Sequence, residues 1–265
     1  LPATASAAAI ISSVAWGLGY FGQPHIIVRF MAISSVKETK SARRIGIGWM
    51  IFSLLGAIVT ALVGVAYFQQ QGIALDDSET VFIVLGQIIF HPFIAGIILA
   101  AILAAVMSTI SSQLIVTSSA LIEDIYKELV KKDATDAHYV FSGRMAVLVV
   151  AIVAAVVAWN PNSSILDLVG FAWAGFGAAF GPVILLSLYW RKLTNYGALA
   201  GTVTGAVVAF VWGTVESLSS MLYEIVPGFV LGLIVAVVVS LVTYKRNEEI
   251  EAEFTETERL LKENR

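Results

Sequence analysis

Once the chain is cut into its apolar runs, all sixteen Lys and Arg residues fall in, or at the edge of, alternate loops. Seven runs stand out: Ala3–Val28, Ile45–Phe68, Phe93–Ile122, Val140–Ala158, Leu168–Tyr189, Tyr196–Val215 and Pro227–Tyr244. Arg29, Lys37, Lys40, Arg43 and Arg44 follow the first run. Lys127, Lys131, Lys132 and Arg144 flank the third connection, Arg191 and Lys192 the fifth. Lys245, Arg246, Arg259, Lys262 and Arg265 form the tail. The loops 69–92, 159–164 and 216–226 hold no Lys or Arg. A run of roughly 20 apolar residues crosses the hydrocarbon of a bilayer, and basic loops stay on the cytoplasmic side. The pattern therefore predicts an all-α, multi-pass protein of the plasma (inner) membrane, embedded in lipid. The start of the chain lies outside and its end in the cytoplasm.

Composition supports that class. Hydrophobic residues make up 58% and charged residues 13%, about half the charge of an ordinary soluble domain. With basic residues spread over four loops there is no single patch for nucleic acid, so nucleic-acid binding is not expected. There is no Cys, which excludes disulfides and thiolate metal sites. The chain starts with Leu1, with no basic segment before Ala3. An outside start without a signal sequence leads to the expectation that an odd number of spans lies upstream and that this is the C-terminal part of a larger protein.

The first run is interrupted. Gly17, Gly19, Gly22 and Pro24 fall within eight residues at mid-span, with Trp16 and Tyr20 among them. Pro24 cannot donate to the Tyr20 carbonyl, and its ring crowds that turn. Backbone freed at membrane depth is tolerated where it is buried in protein or lines a cavity. The density of breakers thus predicts a functional break rather than a packing kink. His25 follows at once, as a candidate titratable group or a cap for freed backbone. In the loop 69–92, Asp76, Asp77 and Glu79 precede the apolar run Val81–Phe90. That run is too short to cross and predicts an interfacial or re-entrant helix. Pro92 and Pro227 open the third and seventh runs, where a missing N–H is harmless. The tail from Glu248, with Ile250, Phe254, Leu260 and Leu261 at loose helical spacing, predicts a solvated cytoplasmic helix.

Two runs carry further patterns. In the third, Gly96, Ala100, Ala104, Ser108 and Ser112 recur every four residues, a ridge that lets helices approach closely. Seven hydroxyl residues crowd between Ser108 and Ser119. For Ser111, Ser112 and Ser118 the expected role is hydrogen bonding within and between helices. Ser108 and Thr109, near mid-span, can instead help replace the hydration shell of a small hard cation. In the fifth, Phe171–Pro182 alternates Gly and aromatics, and Pro182 frees the Ala178 carbonyl; both a hinge or aromatic gate and close helix packing fit. No run carries Asp, Glu or Lys in its core, where proton-coupled machines place titratable groups. No nucleophile–base spacing appears, so an enzyme is not expected.

At Trp16-Gly17-Leu18-Gly19-Tyr20-Phe21-Gly22-Gln23-Pro24-His25-Ile26, and again at Ala100–Thr109, the chain resembles the sodium:solute symporter family. Ala172–Pro182 and Asn195–Gly201 also match. The resemblance covers essentially the whole chain and is strongest to bacterial proline-transporting members. It implies sodium-coupled symport of L-proline by alternating access. It also implies a leucine-transporter-type fold of two inverted five-helix repeats plus peripheral helices. On that basis residues 1–190 form the second repeat, its first helix broken, 191–246 two peripheral transmembrane helices, and 247–265 a polar tail. The family's proline positions correspond to Trp16, Tyr20 and Pro24. Its sodium site corresponds to the Ala105 carbonyl and the Ser108 and Thr109 hydroxyls. The first repeat, which supplies half of both sites, is absent and is an implied partner. The stretch that often carries Cys in such proteins has Ser112 and Thr117. The rivals are a seven-helix receptor, which shares this topology, a channel, and a sodium-coupled carrier of another organic solute.

Overall fold

The computed structural model describes residues 6–75, 77–130, 132–159 and 165–263. Ala3, Asp76, Lys131 and Arg265, named above, lie outside the described residues, as do residues 160–164. Among the described residues the chain is helical throughout, without strands. Among the described residues six helices are long and apolar enough to cross a membrane. The first run instead appears as pieces: α1 (Ala7–Ala15), a 3-10 segment (Trp16–Phe21) and α2 (Pro24–Met31). Each piece is too short to span alone, and this is the predicted break.

The six spans are α3 (Val36–Gln71), α5 (Pro92–Ser119), α6 (Asp136–Val157), α7 (Ile165–Tyr189), α8 (Asn195–Thr214) and α10 (Ile225–Thr243); α4 (Val81–Ile89) is the predicted short helix. A single turn, α9 (Glu216–Ser219), follows α8, and α11 (Glu248–Glu263) is the tail helix. Local chemistry sets several ends. Gly72 adopts the left-handed conformation (φ 66°) that closes α3, which a Cβ would disfavour. Pro92 sits in the first turn of α5, where His91 Nδ1 accepts from Phe93 N. Thr194 Oγ1 accepts from Gly197 N to start α8. Span three runs on beyond its expected end at Ile122, because α5 continues as a π-helix over Ala120–Val130.

The chain forms two compact units, residues 33–152 and residues 1–32 with 153–265. In the first, α4 packs against α3 and α5, with Leu85 and Gly86 buried. No residue of α6 is buried, and most of α5 is exposed, including Gly96, Ala100, Ala104 and Ser108 of the predicted ridge. Within this unit, then, that ridge is not used for close packing.

The second unit packs through a ridge the sequence reading passed over. Gly197, Gly201, Gly205 and Ala209 of α8 meet Gly228, Gly232, Ala236 and Ser240 of α10. A Cβ on Gly201 would lie 2.6 Å from Ala236 Cβ, and one on Gly228 2.7 Å from Ala178 Cβ. In lipid, such contact and hydrogen bonding hold helices together where water exclusion cannot. Fully buried Ser240 accepts from Thr194 N at 3.1 Å. Thr194 Oγ1 lies 2.7 Å from Thr243 Oγ1, which itself donates to Val239 O. The Ala178 carbonyl freed by Pro182 lies against Gly205 and Gly232. Ala174, Ala178 and Pro182 are buried, so close packing accounts for this part of the Gly–aromatic stretch.

The tail helix is more than a solvated rod. Arg191 pairs with Glu258 at 2.7 Å and Glu251 at 3.3 Å, and its guanidinium lies 5.7 Å from the Phe254 ring centroid. These pairs hold the Glu258 carboxyl below the usual carboxylate range and push the Arg191 guanidinium up.

Candidate functional site: the broken helix and the hydroxyl pair

The break is built by contact between the 3-10 segment and α7. Gln23 is extended (φ −84°, ψ 115°), which stops the helical ladder before Pro24 opens α2. The glycines on either side of Tyr20 admit α7. A Cβ on Gly19 would lie 2.5 Å from Trp173 Cε2 and nearer still to its Nε1 and Cδ1. One on Gly22 would run into the Phe176 carbonyl, and one on Gly177 would lie 2.7 Å from Gly19 Cα. The backbones thus meet where both helices lack side chains.

Side chains of α7 and of the break then complete each other. Trp173 Nε1 donates to Trp16 O at 2.9 Å, and buried Gln23 donates through Nε2 to Trp173 O at 3.3 Å. Trp16 stacks on Trp173 (centroids 5.4 Å, interplanar 13°) and on Tyr223 (6.1 Å, 12°). Tyr20 meets Trp173 edge-on at 4.9 Å and 84°. Each such pair contributes roughly 0.5–1.5 kcal/mol beyond its buried area. Tyr223 is tied down by its hydroxyl to Gly170 O at 2.6 Å and by its N–H to Ser12 Oγ at 3.1 Å.

The expected residues are therefore partly united. Trp16 and Tyr20 share Trp173 as neighbour, Tyr20 remaining 46% exposed and so able to touch a ligand. Pro24 begins α2 beyond the Gly22–Gln23 link and, with His25, is only half-buried. Because residues 16–21 form a 3-10 rather than an α turn, Trp16 and Tyr20 lie about 120° apart around the axis instead of on one stripe. Trp173 brings them together. Gln23 and Tyr223 were missed by the sequence reading. A lone amide inside an apolar run beside the break was the available signal for Gln23. Nothing local marks Tyr223, whose partners lie far away in the chain.

In the other unit, the hydroxyl pair converges on one carbonyl. Ser108 Oγ donates to Ala105 O at 2.9 Å and Thr109 Oγ1 to the same oxygen at 3.0 Å. With both hydroxyls donating to that oxygen, each keeps its lone pairs as acceptors, and a hard cation is held by such oxygens. All three residues are exposed on α5. Ser112 and Ser118 back-bond in the same way, to Thr109 O and Ile115 O, but each to a carbonyl of its own. Among the described residues no cluster of three His, Asp or Glu side chains forms.

The model of the sodium:solute symporter family matches residues 3–205. The chain belongs to the sodium:solute symporter family. It is 57% identical over 247 residues to the high-affinity proline transporter PutP of Bacillus subtilis, an alignment covering 93% of this chain and 52% of that protein. It is 52% identical over 259 residues to the osmoregulated proline transporter OpuE of the same organism, covering 97% and 53%. It is also 52% identical over 263 residues to sodium/proline symporter 2 of Staphylococcus saprophyticus, covering 96% and 52%. The chain thus spans about half the length of the curated relatives it matches. No solved structure matches it. Family membership makes this a multi-pass protein of a transporter family, and sets aside both the receptor and the enzyme.

Proposed function

We propose that this chain is the proline- and sodium-binding C-terminal half of a sodium-coupled proline symporter in the plasma membrane. The observation that carries the reading is the break itself: a 3-10 turn that contains Tyr20 and an extended residue, Gln23, inside an apolar segment, with Trp173 packed against it. Relatives named as proline transporters and sodium/proline symporters, at 52–57% identity, support the substrate and the ion. Their roughly double length supports a preceding half, the first inverted repeat of a leucine-transporter-type fold. Residues 1–190, 191–246 and 247–265 then form the second repeat, two peripheral helices and the tail. The alternation of basic loops supports seven crossings, counting the broken one, with the start outside and α11 in the cytoplasm.

In this reading the pyrrolidine ring packs against Tyr20, whose position is set by the Trp16–Trp173 stack. The substrate carboxylate faces the positive end of α2 at Pro24. Sodium, as co-transported cargo, takes oxygens from Ser108, Thr109 and Ala105, and the preceding half completes both sites. Ion binding favours the outward-open state, and the gradient drives alternating access. Trp16→Ala and Tyr20→Ala in the full-length protein should raise the half-saturating proline concentration about tenfold or more, as for loss of one to a few kcal/mol of contact, with little change in that for sodium. Unchanged proline affinity in both variants would remove the substrate assignment.

A further inference from the structure

A cavity lies beside the break, at the end of the unit that carries the α8–α10 connection. Its volume is about 580 Å³, within the range of small-molecule sites. Ser12, Trp16, Asp167, Phe171, Tyr223 and Glu224 line it. Glu224 is the unusual member. Its side chain is only 8% exposed, yet among the described residues no basic group and no side-chain donor meets its carboxylate. Its own backbone N–H is its one hydrogen bond, while burial pushes the carboxyl above the usual carboxylate range. A buried carboxylate without a counter-charge is costly, and it faces a cavity that no Lys or Arg lines.

Several of the hydroxyl donors around it are directed elsewhere. Tyr223 donates its hydroxyl to Gly170 O, Ser219 to Glu216 O and Ser13 to Ala9 O,. What remains on offer is the Glu224 carboxylate, hydroxyl lone pairs and the Phe171 ring, with Asp167 adding negative charge at the rim. That surface attracts a cation and repels an anion. The space is far larger than a dehydrated metal ion needs, but suits a small ring bearing an ammonium group.

We propose that this cavity is an outer capture site for the ammonium group of the transported amino acid. Glu224 is its counter-charge, Asp167 the acidic mouth and Phe171 the apolar wall. The proposal rests on the symport reading above. The site borders the break directly: Tyr223, next to Glu224, stacks on Trp16, which stacks on Trp173. Two rings, Trp16 and Trp173, link a solute held here to Tyr20.

The test uses the full-length protein in proteoliposomes, reading half-saturating proline and half-saturating sodium separately. Glu224→Gln keeps the shape and removes the charge. It should raise the half-saturating proline concentration about tenfold, as for loss of a charge-assisted contact. Asp167→Asn, at an exposed position, should raise it about two- to threefold at low salt, less at high salt. Neither should move the sodium dependence. Glu224→Asp, which keeps the charge, should stay closer to the parent than Glu224→Gln. Unaltered proline dependence in both charge-removing variants overturns the proposal, as does a shift in the sodium dependence instead, which would mark an inorganic-ion site. Should Glu224→Gln fail to fold, an unchanged Asp167→Asn overturns it alone. A parent without sodium-driven proline uptake removes the symport reading itself. A parent that transports beside unaltered variants removes only the capture site.

Discussion

Gly17 and Gly19 sit two residues apart in the same 3-10 turn, and the structure gives them opposite surroundings. A Cβ on Gly17 meets nothing within 4 Å, whereas one on Gly19 enters the Trp173 indole. Gly17→Ala should therefore be neutral or slightly stabilising, by up to about 0.5–1 kcal/mol, through reduced freedom of the unfolded chain. Gly19→Ala forces the indole back by about 1.5 Å to reach ordinary contact distance. That movement stretches the 2.9 Å bond from Trp173 Nε1 to Trp16 O beyond hydrogen-bonding range. It also disturbs both aromatic contacts of Trp173, with Trp16 and Tyr20. Losing the hydrogen bond costs about 1 kcal/mol, and more if the carbonyl stays unsatisfied. The ring contacts add roughly 0.5–1.5 kcal/mol. The expected difference between the two variants is about 2–4 kcal/mol, one and a half to three decades in population. Unfolding of the full-length protein in detergent, followed by tryptophan fluorescence, reads it directly. Proline binding should weaken in Gly19→Ala and not in Gly17→Ala. Equal stability and equal affinity in the two would refute the claim that Gly19 exists to admit Trp173.

Two further outcomes follow from the geometry. Thr109→Val and Ser108→Ala each delete an oxygen beside Ala105 and should raise the half-saturating sodium concentration about tenfold or more, on the ~1–3 kcal/mol scale of a lost polar contact. Ser118→Ala, which loses only a back-bond to Ile115 O, should change it little; equal sodium dependence across all three would put the ion elsewhere. Arg191→Ala should free α11, seen as faster protease cleavage within 248–263 and greater mobility of a spin label on the helix. High salt should loosen the parent's tail in the same direction, and an unaltered cleavage rate would show that the Arg191 pairs do not hold it.

The sequence made the transmembrane scaffold legible because each element there is a local signal. Long apolar runs predicted α3, α5, α6, α7, α8 and α10, and a short run between loops predicted α4. Gly17, Gly19, Gly22 and Pro24 together marked the break within a few residues of Gln23. Contacts between helices were not legible. Small residues every four positions appear on α5, α8 and α10 alike, and periodicity cannot say which ridge meets which. In these units α8 and α10 use theirs, while the α5 ridge stays bare. Trp173 lay in a stretch already singled out, but its bond to Trp16 spans 157 positions and depends on two glycines aligning. Glu224 carries no local signal in the sequence, since burial is a property of the packing around it. The continuation of α5 past Ile122 was missed because Glu123, Asp124 and Lys127 end the apolar run without ending the helix.

The most direct measurement is proline uptake by the full-length protein in proteoliposomes under an inward sodium gradient, compared with an equal potassium gradient at the same membrane potential. The account predicts saturable accumulation of proline above its outside concentration with sodium, collapse of that accumulation when the sodium gradient is dissipated, and loss of proline affinity in Tyr20→Ala. Equal uptake with either cation, or full affinity in Tyr20→Ala, would contradict it.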